Sequence, residues 1–174
     1  MPGIPARSGA GPERPGAERR ERESMSGAGG GDGDRRRAVV RVCCDGGARG
    51  NPGPAAIGAL VLDPSTQPPT RLATVSERIG IATNNVAEYR AVIAGLEAAR
   101  AFPARAIQVR ADSMLVIEQL KGRWRVKQPH LRPLHAQARA LLDAYEEVDL
   151  AHVRREQNIE ADALVNAALD LGTV

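Results

Sequence analysis

Residues 38–58, AVVRVCCDGGARGNPGPAAIG, decide the fold class. Val40, Val42 and Cys44 alternate with Val39, Arg41 and Cys43, the period-2 pattern of a strand with two unlike faces. The same period puts Asp45 on the face of Arg41 and Cys43, at the expected end of the strand. Gly46, Gly47, Gly50, Asn51, Pro52, Gly53 and Pro54 follow at once. That composition predicts a tight turn in place of a continued strand, and a site where another backbone or a ligand approaches closely. An Asp before two glycines is ordinary in a hairpin turn. It gains weight because three more carboxylates fall at the edges of their own predicted elements.

Outward from this stretch, Ala55–Asp63 and Arg71–Ile79 read as two more strands, separated by the Pro64–Pro69 loop. The short connections make the three an antiparallel meander. Thr83-Asn84-Asn85 then signals a helix cap, and Val86, Tyr89, Ile93 and Leu96 recur at helical spacing, with Glu88 expected in the first turn. Arg105–Asp112 is a fourth strand, and Ser113 opens a helix through Leu120. A helix over Leu131–Tyr145, a fifth strand over Glu147–Val153 and a last helix over Asn158–Leu171 complete the order. Strands alternating with helices in the second half imply right-handed crossovers and parallel pairing. The fold class is α/β: a mixed five-stranded sheet, three strands antiparallel and two parallel, flanked by helices.

Residues 1–37 hold nine of the 18 glycines and almost no large apolar side chains. Such a segment cannot offset the entropy of ordering, so a disordered tail over 1–37 and a single domain over 38–174 are expected, with Met25 an alternative start. No apolar run suits a signal peptide or a membrane span, which makes the cytoplasm the expected location. The net charge of +3 comes largely from the tail, which carries eight basic and six acidic residues and leaves 16 against 15 elsewhere. Global charge therefore gives no argument for a nucleic-acid partner, and any such argument rests on local patches. Cys43 and Cys44 point to opposite faces of their strand and lack ligand-spaced neighbours, so they read as small core residues.

Asp45, Glu88, Asp112 and Asp162 each sit at a strand end or in a first helical turn. If the first and fourth strands are neighbours, Asp45 and Asp112 converge. Crowded carboxylates repel one another unless cations neutralise them, and an all-oxygen set without His or Cys selects Mg²⁺ or Mn²⁺. Two such ions ~3.5–4 Å apart would polarise a phosphodiester and activate water. Taken singly, Glu88 or Asp162 could equally be a charge complementing a helix N-terminus. Together the four are harder to explain so.

Four segments in order, DGGARGNPGPAAIGAL, TNNVAEYRAVIAGLEAA, RADSMLVIEQL and REQNIEADALVNAA, resemble the signature segments of ribonuclease HI, in its compact bacterial and archaeal branch. The resemblance covers residues 38–171. It implies an RNase H-like fold and an endonuclease that cuts the RNA strand of RNA/DNA hybrids with two Mg²⁺ or Mn²⁺ ions, leaving 5′-phosphate and 3′-hydroxyl ends. By motif position it makes Asp45, Glu88, Asp112 and Asp162 the metal ligands. It places Asn51, Asn84 and Asn85 on the hybrid near the scissile site and Thr83 on a DNA phosphate. Short amides suit this task, because a hybrid differs from duplex DNA in 2′-hydroxyls that lie in a minor groove. A monomer is expected.

The chain departs from the longer-loop members in two places. Where they carry a mobile His before the last helix, the matching residue here is Arg155, and His152 lies in the fifth strand as a structural residue. The basic protrusion is reduced to Arg123, Trp124, Arg125 and Lys127, between Lys121 and Arg132, which resembles the substrate-binding region but also suits a solvated loop. Alternatives are a nucleic-acid-binding module with weak catalysis, another RNase H-like nuclease, or a nuclease that also cuts double-stranded RNA.

Overall fold

The computed structural model describes residues 36–171. Five strands form one sheet: β1 (Arg37–Ala48), β2 (Gly53–Asp63), β3 (Thr70–Ala82), β4 (Ala104–Ala111) and β5 (Glu147–His152), in the order β3-β2-β1-β4-β5. β1 pairs antiparallel with β2, and β2 with β3, while β1–β4 and β4–β5 are parallel. The sheet is the mixed one expected from the sequence. Helices α1 (Asn84–Ala99), α2 (Met114–Leu120), α3 (Arg132–Leu142) and α4 (Ile159–Asp170) occupy the connections and the C-terminal side.

α1 packs on β1 and β2, with α3 against it, and together they bury the main core, which includes Val40, Val42, Leu96, Ile107, Val109 and Leu142. α4 packs against β2, β1 and β3, and a smaller cluster of Ala56, Val165, Ala168 and Leu169 lies there. Among the described residues no helix is long and apolar enough to cross a membrane.

β3 runs on to Ala82 and α3 stops at Leu142, and three further differences from the sequence-based expectation bear on the site. β1 does not stop at Asp45 but runs through Gly46 and Gly47 to Ala48, paired with Ile57, Ala56 and Ala55 of β2. Gly46 is there for proximity: a Cβ on it would collide with the main-chain carbonyl of Ala87 in α1. Glu88 is not in the first turn of α1. The helix starts at Asn84, which makes Glu88 its fifth residue, one turn in. Arg37, assigned to the tail, opens β1, and its guanidinium donates to Asp63 at 2.9 Å. The rest of the expected tail, residues 1–35, lies outside the described residues, as do residues 172–174.

Candidate active site

Two parallel strands and one helix build the centre of the site. Cys44 of β1 stands opposite Ala111 of β4, so the next residues, Asp45 and Asp112, emerge side by side. The Gly46–Ala87 approach draws α1 onto the same spot and delivers Glu88. Carboxylate oxygens of Asp45, Glu88 and Asp112 all lie within 4.8 Å of one another. Glu88 Oε2 and Asp112 Oδ1 are buried and have no hydrogen-bond partner among the described residues. Such orphaned acceptors carry a desolvation penalty unless something binds them.

The electrostatics point the same way. Burial, then the charges of Asp112 and Asp162, push the Asp45 carboxyl up to about 8. Burial, then Asp112 and Asp45, push Glu88 up to about 8 as well. A site that resists three negative charges, with an all-oxygen donor set and two unsatisfied oxygens, fits a hard divalent cation.

Asp162 arrives from the other face. Gly58, the ladder partner of Asp45, has no room for a Cβ because the Ala161 carbonyl of α4 fills the place. Asp162 therefore borders the same cleft, about 300 Å³ in volume, yet stands outside the tight group of three. Its Oδ1 lies 3.8 Å from Arg155 Nη2, and its Oδ2 accepts a bond from Asn166 Nδ2 at 3.3 Å. Arg155 is exposed at the rim of this cleft.

Of the expected substrate-contacting residues, Asn84 lines the cleft itself. Asn51 Oδ1 accepts from the Asn84 amide at 3.1 Å, and Asn84 Oδ1 accepts from the Ala48 amide at 2.9 Å. Both carbonyl ends are thus used to join the β1–β2 turn to α1, and both bonds lie at the exposed surface. Thr83 caps α1 by accepting from the Val86 amide at 3.3 Å. Asn85, one residue further, lines a second cavity of about 450 Å³ with Arg123, Trp124, Arg125 and Lys127. The basic loop and the Thr-Asn-Asn segment therefore share one surface. Trp124 is 45% exposed, so it is not folded into the core.

The sequence did not single out two residues that support the acids. Asn158 is 3% exposed; its Nδ2 donates to the Cys44 carbonyl at 2.9 Å, and its main-chain carbonyl accepts from the Asp162 amide at 3.1 Å. It ties the strand of Asp45 to the helix of Asp162. Asn166 is the other, and its position four residues after Asp162 on a helix was the available signal. His152, expected to be structural, contacts the Asp112 carbonyl through Nε2 at 3.1 Å.

Residues 43–168 match the family described as reverse transcriptase-like. The bifunctional protein Rv2228c of Mycobacterium tuberculosis is 48% identical over 131 residues, and the match spans 75% of this chain but 35% of that protein's length. RNase H1 from the archaeon Halobacterium salinarum NRC-1 is 44% identical, with 78% of this chain and all of that one covered at a TM-score of 0.72. LC11-RNase H1, solved in complex with an RNA/DNA hybrid, is 37% identical, with 78% and 99% covered at a TM-score of 0.72. The strand order, the convergence on Asp45 and these likenesses carry one conclusion: the chain belongs to the reverse transcriptase-like family of RNase H domains.

Proposed function

We propose that this domain is an endoribonuclease that hydrolyses the RNA strand of RNA/DNA hybrids with two Mg²⁺ or Mn²⁺ ions, leaving 5′-phosphate and 3′-hydroxyl ends. The observation that carries this is the convergence of Asp45, Glu88 and Asp112 with two buried, unsatisfied oxygens. The hybrid bound by LC11-RNase H1 supports the choice of substrate.

Asp45, Glu88 and Asp112, with Asp162 beside them, would hold the ions. When bound, the ions neutralise phosphate charge and supply a nucleophilic water. The chain's other residues bind and orient. Asn51 and Asn84 have committed their carbonyls to the protein, which leaves their amide donors for 2′-hydroxyls and sugar edges. Thr83 and Asn85 continue this contact line toward the basic loop, where Arg123, Arg125 and Lys127 meet phosphates and Trp124 offers an aromatic face. Arg155 keeps a permanent positive charge beside Asp162 and holds the scissile or departing phosphate; it cannot act as a proton shuttle.

The catalytic unit is residues 38–174 together with Arg37, acting as a monomer in the cytoplasm. The test is digestion of end-labelled RNA/DNA, RNA/RNA and DNA/DNA duplexes with Mg²⁺, with Mn²⁺ and with EDTA. Metal-dependent cleavage of the RNA in the hybrid is expected. Cleavage of RNA/RNA as well would widen the substrate class to double-stranded RNA. Hybrid bound but left intact at all metal concentrations would make the chain a binding module.

A further inference from the structure

Gln119 of α2 is 4% exposed, yet it is bonded at both ends of its amide. Its Oε1 accepts from the Tyr89 hydroxyl at 2.5 Å, its Nε2 donates to the Arg125 carbonyl at 3.2 Å, and its main-chain carbonyl contacts His135 Nε2 at 3.0 Å. Tyr89 directly follows Glu88 on α1, and Arg125 lies in the middle of the basic loop. One buried side chain therefore links the helix that delivers Glu88 to the loop that carries the cations.

That loop has little else to hold its centre. α2 ends at Leu120, Gly122 turns the chain at φ +76°, and the amides of Arg123 and Trp124 both donate to the Glu118 carbonyl. From Arg125 to Lys127 the main chain has two hydrogen bonds among the described residues, both from side chains: Gln119 to Arg125, and Arg132 Nε to the Val126 carbonyl at 3.3 Å. The Arg132 bond is exposed and open to competition from water, whereas the Gln119 end is buried.

We propose that Gln119 is a positioning residue for nucleic-acid binding, which sets the basic loop at a fixed distance from the acidic cleft. This rests on the reading that the loop binds the hybrid. A nucleic acid spanning both places then gains its loop contacts without ordering the loop first. The competing account is that Gln119 only satisfies the Tyr89 hydroxyl within the core.

Trp124 is the chain's single tryptophan, so its fluorescence reports on this loop alone. The double variant Tyr89→Phe/Gln119→Met replaces both bonded partners by apolar groups of similar shape, a change that is close to neutral for stability, and frees the Arg125 carbonyl. Tyr89→Phe alone keeps the bond from Gln119 to Arg125. Expected in the double variant are a rise in KM for a short hybrid of about three- to ten-fold, the ratio that one hydrogen bond's net worth converts to, at unchanged kcat, and stronger quenching of Trp124 by acrylamide. Tyr89→Phe alone should show neither. Gln119→Glu, which keeps an acceptor for Tyr89 and loses the donor to Arg125, should repeat the pattern if the double variant fails to fold. Unchanged KM or unchanged quenching in a folded Gln119 variant would overturn the proposal. If the wild-type protein binds no hybrid, the functional reading is what fails, and the quenching alone decides whether Gln119 holds the loop.

Discussion

The backbones of Gly46 and Ala87 are in direct contact, with no side chain between the strand that carries Asp45 and the helix that carries Glu88. Two acids that would repel each other are thus brought together by close packing of their neighbours. A single methyl group at position 46 has nowhere to go, because the obstacle is main chain. Gly46→Ala should destabilise the protein by about 1–3 kcal/mol, as overpacking does, and should abolish hybrid cleavage even where the protein remains folded. Urea unfolding and a cleavage assay below the melting temperature check this. Wild-type activity in that variant would show that α1 can retreat without disturbing the site.

Asp45→Asn should remove cleavage at every Mg²⁺ concentration while the fold persists. An amide supplies a neutral oxygen where a hard cation would need an anionic ligand. Relief of repulsion with Glu88 and Asp112 should leave the metal-free variant as heat-stable as wild type, or more so. Measurable turnover by Asp45→Asn would remove this residue from the centre of the site.

Asp45 and Glu88 both stand at about 8 in the folded, metal-free protein, against ordinary carboxylate values of about 4 in the unfolded chain. Between those values the folded state binds more protons than the unfolded one, so stability falls as pH rises. The contribution is complete below about pH 4 and is lost by the time pH passes about 8. Without metal, the melting temperature should therefore be higher at about pH 5 than at about pH 8.5, and Mg²⁺ should raise it most at the alkaline end. Asp45→Asn should flatten this slope. A metal-free stability that climbs with pH over this range would contradict the raised values.

Replacing Arg123, Arg125 and Lys127 together by Ala takes away up to three cations that meet phosphates. KM for a hybrid should rise, and the slope of log KM against log salt should become shallower by about one for each phosphate no longer neutralised. Kinetics at several salt concentrations read both effects. An unchanged KM at moderate salt would return the loop to the solvent.

Arg155→Ala should slow turnover by about 10- to 1000-fold, the upper end being what loss of one transition-state donor costs, and Arg155→Lys should recover part of it. The pH–rate profile should keep its shape in both variants, since guanidinium does not titrate in the working range. If His152→Ala instead removed a near-neutral limb of that profile, the proton-handling role would belong to His152, whose ring already touches the Asp112 carbonyl.

The strand period at Val40, Val42 and Cys44, the helical spacing of Val86, Tyr89, Ile93 and Leu96, and the alternation of strands with helices were enough to derive a mixed sheet with an antiparallel meander and parallel later strands, but not the order of its strands. These patterns are local, and burial of one face enforces them wherever they occur. The order of elements made the meeting of Asp45 and Asp112 conditional on β1 and β4 being neighbours, and the sheet order meets the condition. The tertiary structure decided what local pattern cannot carry. Gly46 looked like the end of a strand, because a glycine reports freedom of its own backbone and not which distant backbone fills the space it leaves. Asn158 finds its acceptor on Cys44, 114 residues away, and Gln119 finds one on Arg125 only because the chain reverses at Gly122. Asp162 reaches the same cleft from α4, where its charge acts on Asp45 and its two oxygens face Arg155 and Asn166. Such partners follow from how closely helices dock on a sheet, and docking distance is set by contacts between residues far apart in the chain.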